Sequence, residues 1–189
     1  MQPVIEPIEF VEQRRAFSRR RALKWVIRAA YGTFALAFAL PALAIRTLTQ
    51  ESKEIAEGDL LVAAAGATAG QPLNAADIPV GTGVQVVPEG KADDTNNNVV
   101  IVRLAEGTGE DALVAYSAVC THLGCIVYAD LDENGNIRCP CHLSQFNPRE
   151  DADVVGGPAP RALPSLPIAV GGNGQITVAG TFSAPVGPD

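Results

Sequence analysis

The sequence predicts an all-β antiparallel domain that carries a small ligand-bearing subdomain in its second half and follows one N-terminal transmembrane helix. Three observations predict this. Short β-branched runs recur from residue 60 onward between Gly, Pro, Asn and Asp clusters. All four cysteines and both histidines lie between Cys120 and His142. Residues 29–45 contain no charged side chain.

The first element, residues 1–24, is a basic head. Residues 1–28 hold seven Lys/Arg against three Glu, so of the net −7 the remaining 161 residues carry 7 minus 18, or −11. A basic head on an acidic body points away from nucleic acid. The stretch Ser18-Arg19-Arg20-Arg21-Ala22-Leu23-Lys24 resembles the twin-arginine export signal, with Ala22 where Phe is usual. Such signals move folded proteins. The same residues also suit the flank of a membrane helix, and either way the N-terminus is cytoplasmic.

Residues 25–45 are the predicted transmembrane anchor. The uncharged part spans roughly 25 Å as a helix. Arg28 can snorkel and Trp25 can sit at the headgroups. Pro41-Ala42-Leu43-Ala44 also has the small residues of a signal-peptidase site, and cleavage there would start the chain at Ile45. Residues 46–59 are polar and weakly patterned, and read as a flexible tether.

Residues 60–189 form the β domain. Strands are expected at 60–62, 84–87, 99–104, 113–119, 126–128, 167–170 and 175–178, with turns at 93–98, 133–136 and 171–174. The subdomain covers about 119–164. The domain has no internal repeat, nucleotide loop or Ser-His-Asp arrangement.

The first half of the subdomain motif is Cys120-Thr121-His122-Leu123-Gly124-Cys125 and the second is Cys139-Pro140-Cys141-His142. Thiolates and imidazoles at this spacing are metal donors. A Cys2His2 zinc site accepts the same side chains, and four cysteines in an exported domain could form two disulfides. Cys-x-His followed by Cys-x-x-His resembles the Rieske iron–sulfur signature. That resemblance implies a [2Fe–2S] cluster with Cys120 and Cys139 on one iron, His122 and His142 on the other, and a disulfide between Cys125 and Cys141. The disulfide pair is that of the cytochrome bc-complex type. After His142, Ser144 agrees with that family, whereas Leu143 stands where Gly is usual and Phe146 where Tyr is usual. Ser144 is expected to donate to a bridging sulfide, and Phe146 cannot donate. Residues 156–164, with Gly157 and Pro158, resemble the proline-rich loop that covers the cluster, and Leu123 is expected among the residues that tune and cover it.

By the same resemblance the chain is the Rieske subunit of a quinol-oxidising complex in a bacterial plasma membrane, single-pass, with its domain on the outer face. His142 or His122 would accept a hydrogen bond and a proton from quinol, with menaquinol as one candidate, and the electron would pass to a c-type cytochrome beside a cytochrome b subunit. The alternatives are the small Rieske subunit of a periplasmic molybdenum oxidase resembling arsenite oxidase, and a structural zinc module.

Overall fold

The computed structural model describes residues 19–48, 53–107 and 109–188. The chain divides into two compact units, one ending at Glu51 and the other Ser52–Asp189.

The first unit holds helix α1, Arg19–Leu48. Against the predicted transmembrane helix of residues 25–45, α1 begins six residues earlier. Among the described residues no helix is long and apolar enough to cross a membrane. In its first half Arg19, Arg20, Arg21, Lys24 and Arg28 are interleaved with the apolar side chains. The side chains of 35, 36 and 38–48, which include most of the predicted apolar run, lie outside the described residues. Residues 19–24 of the export-like stretch form the opening turns of α1, while Ser18 and the head before it lie outside.

The second unit is antiparallel β. Strands β1 (Leu61–Ala63), β2 (Gly83–Pro88), β3 (Val99–Arg103) and β4 (Leu113–Ser117) form a four-stranded base sheet in that order. Strands β5 (Ile137–Arg138), β6 (Gln145–Asn147) and β7 (Asp153–Gly156) form a second sheet, and β8 (Ile168–Val170) pairs with β9 (Ile176–Val178). The predicted tether, residues 46–59, includes 49–52, which lie outside the described residues. From Lys53 on it is pinned to the base. Buried Asn97 accepts from the Ile55 N–H and donates to the Lys53 carbonyl, and Lys91 pairs with Asp59 at 2.7 Å.

The base sheet separates two cores because its alternate side chains face opposite ways. On β3, Val99 and Ile101 join Leu61, Val86, Leu113, Ala115, Ile176 and Val178. Val100 and Val102 face the other way, with Tyr116, Val127, Ile137, Phe146 and Leu163. The run Val-Val-Ile-Val is therefore buried on both faces. Cys120 and Cys139 belong to the second core, so the ligand-bearing subdomain is packed onto one face of the base.

The predicted strand at 126–128 is absent except for a bridge between Val119 and Ile126. Its polar groups bond elsewhere: the Val127 N–H to Ala118, the Tyr128 N–H to Arg138, and the Val127 carbonyl to the Gln85 side chain. Strands β5, β6 and β7, which the sequence does not signal, take the role instead.

Candidate metal centre

Both ligand loops cap short two-stranded ends. Residues 120–125 rise from the Val119–Ile126 bridge, and residues 139–144 rise from the Arg138–Gln145 pair. Each loop closes with the same two backbone bonds. The first cysteine's N–H donates to the sixth residue's carbonyl, Cys120 to Cys125 and Cys139 to Ser144, both at 2.8 Å. The fifth residue's N–H returns to the first cysteine's carbonyl, from Gly124 at 2.9 Å and from Leu143 at 3.1 Å. That fold-back requires a positive φ at the fifth position, 77° at Gly124 and 59° at Leu143.

Cys125 and Cys141 form a disulfide that ties the loops together, with Cα atoms 6.5 Å apart. The ring it closes spans 16 residues, which removes about 3 kcal/mol of loop entropy from the unfolded chain. The two-disulfide reading fails, because Cys120 and Cys139 are free thiols, 0% and 1% exposed. Cys139 Sγ lies within 4.8 Å of both disulfide sulfurs. Those two are committed to each other, so the sulfur donors available to a metal are Cys120 and Cys139. Burial pushes the Cys120 thiol up, and contact with Cys139 adds to this. Backbone N–H groups of His122 and Leu123 bond to its sulfur and pull the other way. Those donors favour a thiolate and hence a metal ligand.

The imidazoles meet edge to face with ring centroids 4.6 Å apart, and their Nδ1 atoms are 3.2 Å apart. Two imidazole nitrogens at tetrahedral sites about 2.0–2.1 Å from one metal would stand roughly 3.3 Å apart. The Nδ1 pair therefore has the spacing of two ligands to a shared ion. Nε2 remains on each ring, His122 half-buried and His142 exposed. Thiols buried in the core and imidazoles at the rim match the donor set of a two-iron centre with unlike irons.

The cover loop packs on the second ligand loop. Ser144 is fully buried, and its Oγ accepts from the Ala159 N–H at 3.1 Å, which leaves its hydroxyl proton to donate. A Cβ on Gly157 would stand 2.4 Å from Ser144 Cα and 2.8 Å from the Leu143 carbonyl oxygen, so only glycine fits. Pro158 beside it is exposed, and Phe146 is fully buried in the core behind the ligands. Leu123 and Leu143 flank the histidines at 62% and 61% exposure.

Two residues of this assembly escape the motif. Thr121 donates its hydroxyl to the Arg161 carbonyl at 2.7 Å, tying the first ligand loop to the cover. Tyr116 donates to the Pro148 carbonyl at 3.1 Å, tying β4 to the end of β6. Thr121 could have been found from its place between two ligands, whereas Tyr116 carries no local signal.

The family model for the Rieske [2Fe–2S] domain matches residues 74–167. A respiratory nitrate reductase Rieske subunit, so named putatively, from Haloferax mediterranei is 42% identical over 117 residues, covering 57% of this chain and 52% of its own length. The cytochrome bc1 complex Rieske iron–sulfur subunit of Streptomyces lividans is 35% identical over 135 residues, covering 62% of this chain and 79% of its own length. Among solved structures, the plasma membrane Rieske protein of the cyanobacterium Synechocystis aligns at 34% identity over 43% of this chain and 75% of its own, with a TM-score of 0.36. The matched stretch contains both buried thiols and both imidazoles. The chain therefore belongs to the Rieske [2Fe–2S] family, and its cofactor is a [2Fe–2S] cluster.

Proposed function

We propose that this chain is the Rieske electron-transfer subunit of a quinol-oxidising cytochrome bc-type complex, working at the outer face of a bacterial plasma membrane. Cys120 and Cys139 would hold the inner iron, and His122 and His142 the outer. When bound, the cluster supplies a one-electron carrier. The observation that carries the quinol assignment is the rim: two imidazoles with Nε2 unused, set between two exposed leucines. An apolar ring bearing a hydroxyl fits such a surface, its hydroxyl donating to Nε2 of His142 or His122 and its ring lying against Leu123 and Leu143. The imidazole then takes the proton, and its position on the exposed edge lets the proton leave to water. Thiols sealed in the core keep water from the sulfur side. The partners on this reading are quinol, a cytochrome b and a c-type cytochrome, as the name of the Streptomyces relative supports.

The name of the Haloferax relative favours a second reading, a Rieske subunit of a nitrate reductase. Affinity purification of the tagged chain from its own membranes separates the two. Co-purification of b and c haems with quinol-dependent cytochrome c reduction is expected. A complex that lacks c haem and oxidises quinol only when nitrate is added would replace the first reading with the second.

A further inference from the structure

After β9 the chain does not leave the domain. The Ser183 N–H donates to the Ser165 carbonyl and the Ser183 hydroxyl accepts from the Ser165 N–H, both at 2.9 Å. Residues beyond it then run toward the first ligand loop. Gly187 is buried at φ 83°, with Val119 Cγ1 3.4 Å from where its Cβ would stand. Pro188 lies over Gly124, its Cδ 3.7 Å from that glycine's Cβ position. The strap is joined to the cover loop by one side chain: Arg161 Nη2 donates to the Pro185 carbonyl at 2.9 Å and to the Gly187 carbonyl at 2.7 Å. The main-chain carbonyl of the same residue holds Thr121, between Cys120 and His122. A residue of the proline-rich loop is thus the junction of three segments.

We propose that Arg161 is a positioning residue for the metal centre, using the C-terminal strap as a fixed anchor so that its own carbonyl holds the first ligand loop in register with the second. The inference rests on the Rieske reading for what the loop holds. The physical basis is that a guanidinium with two carbonyl acceptors is directional and hard to replace once partly buried. Ala159 and Leu163 tie the loop on either side, and the Arg161 side chain fixes the carbonyl between them. Without the strap, Thr121 loses a stationary partner, and the loop carrying Cys120 and His122 is free to fray.

The test uses the full chain and four variants: Arg161→Gln, Arg161→Lys, truncation after Ala184, and that truncation combined with Arg161→Gln. Loss of the visible absorbance of the cluster at a fixed elevated temperature should quicken about tenfold or more in Arg161→Gln, as for loss of a hydrogen bond to a charged group. Truncation should do the same, and the combination should be no faster than either alone, because both break one linkage. Arg161→Lys, which keeps the charge but not the fork, should fall between. The EPR signal of the reduced centre should shift alike in Arg161→Gln and in the truncated chain, which general destabilisation would not do. Amide exchange at residues 121–124 should rise in both, in metal-free and loaded protein alike. A parental chain that holds no iron but shows the exchange effect would sink the Rieske reading and leave the strap standing. Unchanged exchange with unchanged cluster loss, or effects that multiply in the combination, would overturn the strap.

Discussion

Residues 120–125 and 139–144 close with the same pair of backbone hydrogen bonds, yet they are not equally written in the sequence. In the first loop the turning position is Gly124, for which a positive φ is natural; in the second it is Leu143, forced to φ 59°. The histidine sits third in one loop and fourth in the other, and the two rings meet edge to face. The loops are also rooted differently. The first continues directly from β4, whereas the second hangs from the β5–β6 end and is joined to the base by Tyr116. The cover loop leans on the second loop through Gly157 and Ser144, and the strap leans on the first. One backbone design thus accepts two ligand orders, and what differs is the support each loop needs.

That contrast can be broken hardest at Gly157. Gly157→Ala drives a methyl into the backbone of Ser144 and Leu143, which cannot yield, and adds the strain of a positive φ. A loss of roughly 3–5 kcal/mol is expected, with the cluster shed on mild warming. Gly124→Ala, in the first ligand loop, meets nothing closer than 3.7 Å. If the two variants lose the cluster equally fast, the asymmetry of support is refuted.

Tyr116 sharpens the difference in rooting. Burial, then the charge of Asp151, raises its phenol from 10.0 to about 12. The folded state keeps the proton that the unfolded state releases, so stability is full below pH 10 and falls as pH rises from 10 to about 12. The loss approaches about 3 kcal/mol. Chemical denaturation across that range should show the slope in the parent and lack it in Tyr116→Phe, and hydrogen exchange should place the loosening in residues 139–148 before 120–125.

A smaller pair of changes addresses the turning position itself. Gly124→Ala should destabilise by about 1 kcal/mol from φ alone, while Leu143→Gly should relieve strain of about the same size, less the added freedom of its unfolded chain. Thermal melts of the loaded protein should move in opposite directions. A fall in both would mean that the leucine side chain holds the second loop.

The smallest effect lies two residues beyond each loop, where Val127 and Phe146 are both fully buried. Phe146→Tyr would add a donor toward the ligand sulfurs on one side only. A differential of about 1 kcal/mol for one hydrogen bond, at roughly 60 mV per 1.4 kcal/mol, raises the midpoint potential by about 40 mV. Ser144→Ala should lower it. Voltammetry at fixed pH checks both, and an unmoved potential in Phe146→Tyr would leave residue 146 as packing.

The candidate donors and the disulfide pair stand out in the sequence because cysteine and histidine are scarce here and their spacing is chemically narrow. The base sheet was legible at 99–103, where a β-branched run leaves no other fold. Strands β5–β7 were not, because they are two to four residues long and the ligand loops between them supply turn residues at every break. Residues 126–128 misled for the opposite reason: the pattern is that of a strand, but side-chain and loop partners take its hydrogen bonds. Leu143 shows the limit plainly. Its departure from glycine is visible in the sequence, but its left-handed backbone comes from closure of the loop, which only the structure contains. The start of α1 was placed late because residues 19–24 are largely charged and so fall outside the apolar run, yet they continue the helix.

The seam between base and subdomain has a mechanical consequence. Gly83 lies so close to the Ala129 carbonyl that no side chain fits between them, and bonds from Gln85 to Val127, from Ala118 to Asn98 and from Tyr116 to Pro148 run along the same face. Joints of that density do not hinge. If the histidine edge must face one partner to be loaded and another to be discharged, the travel cannot come from bending within the β domain. Any such travel would be made by residues 53–188 as one piece, because residues 53–59 are pinned to the domain.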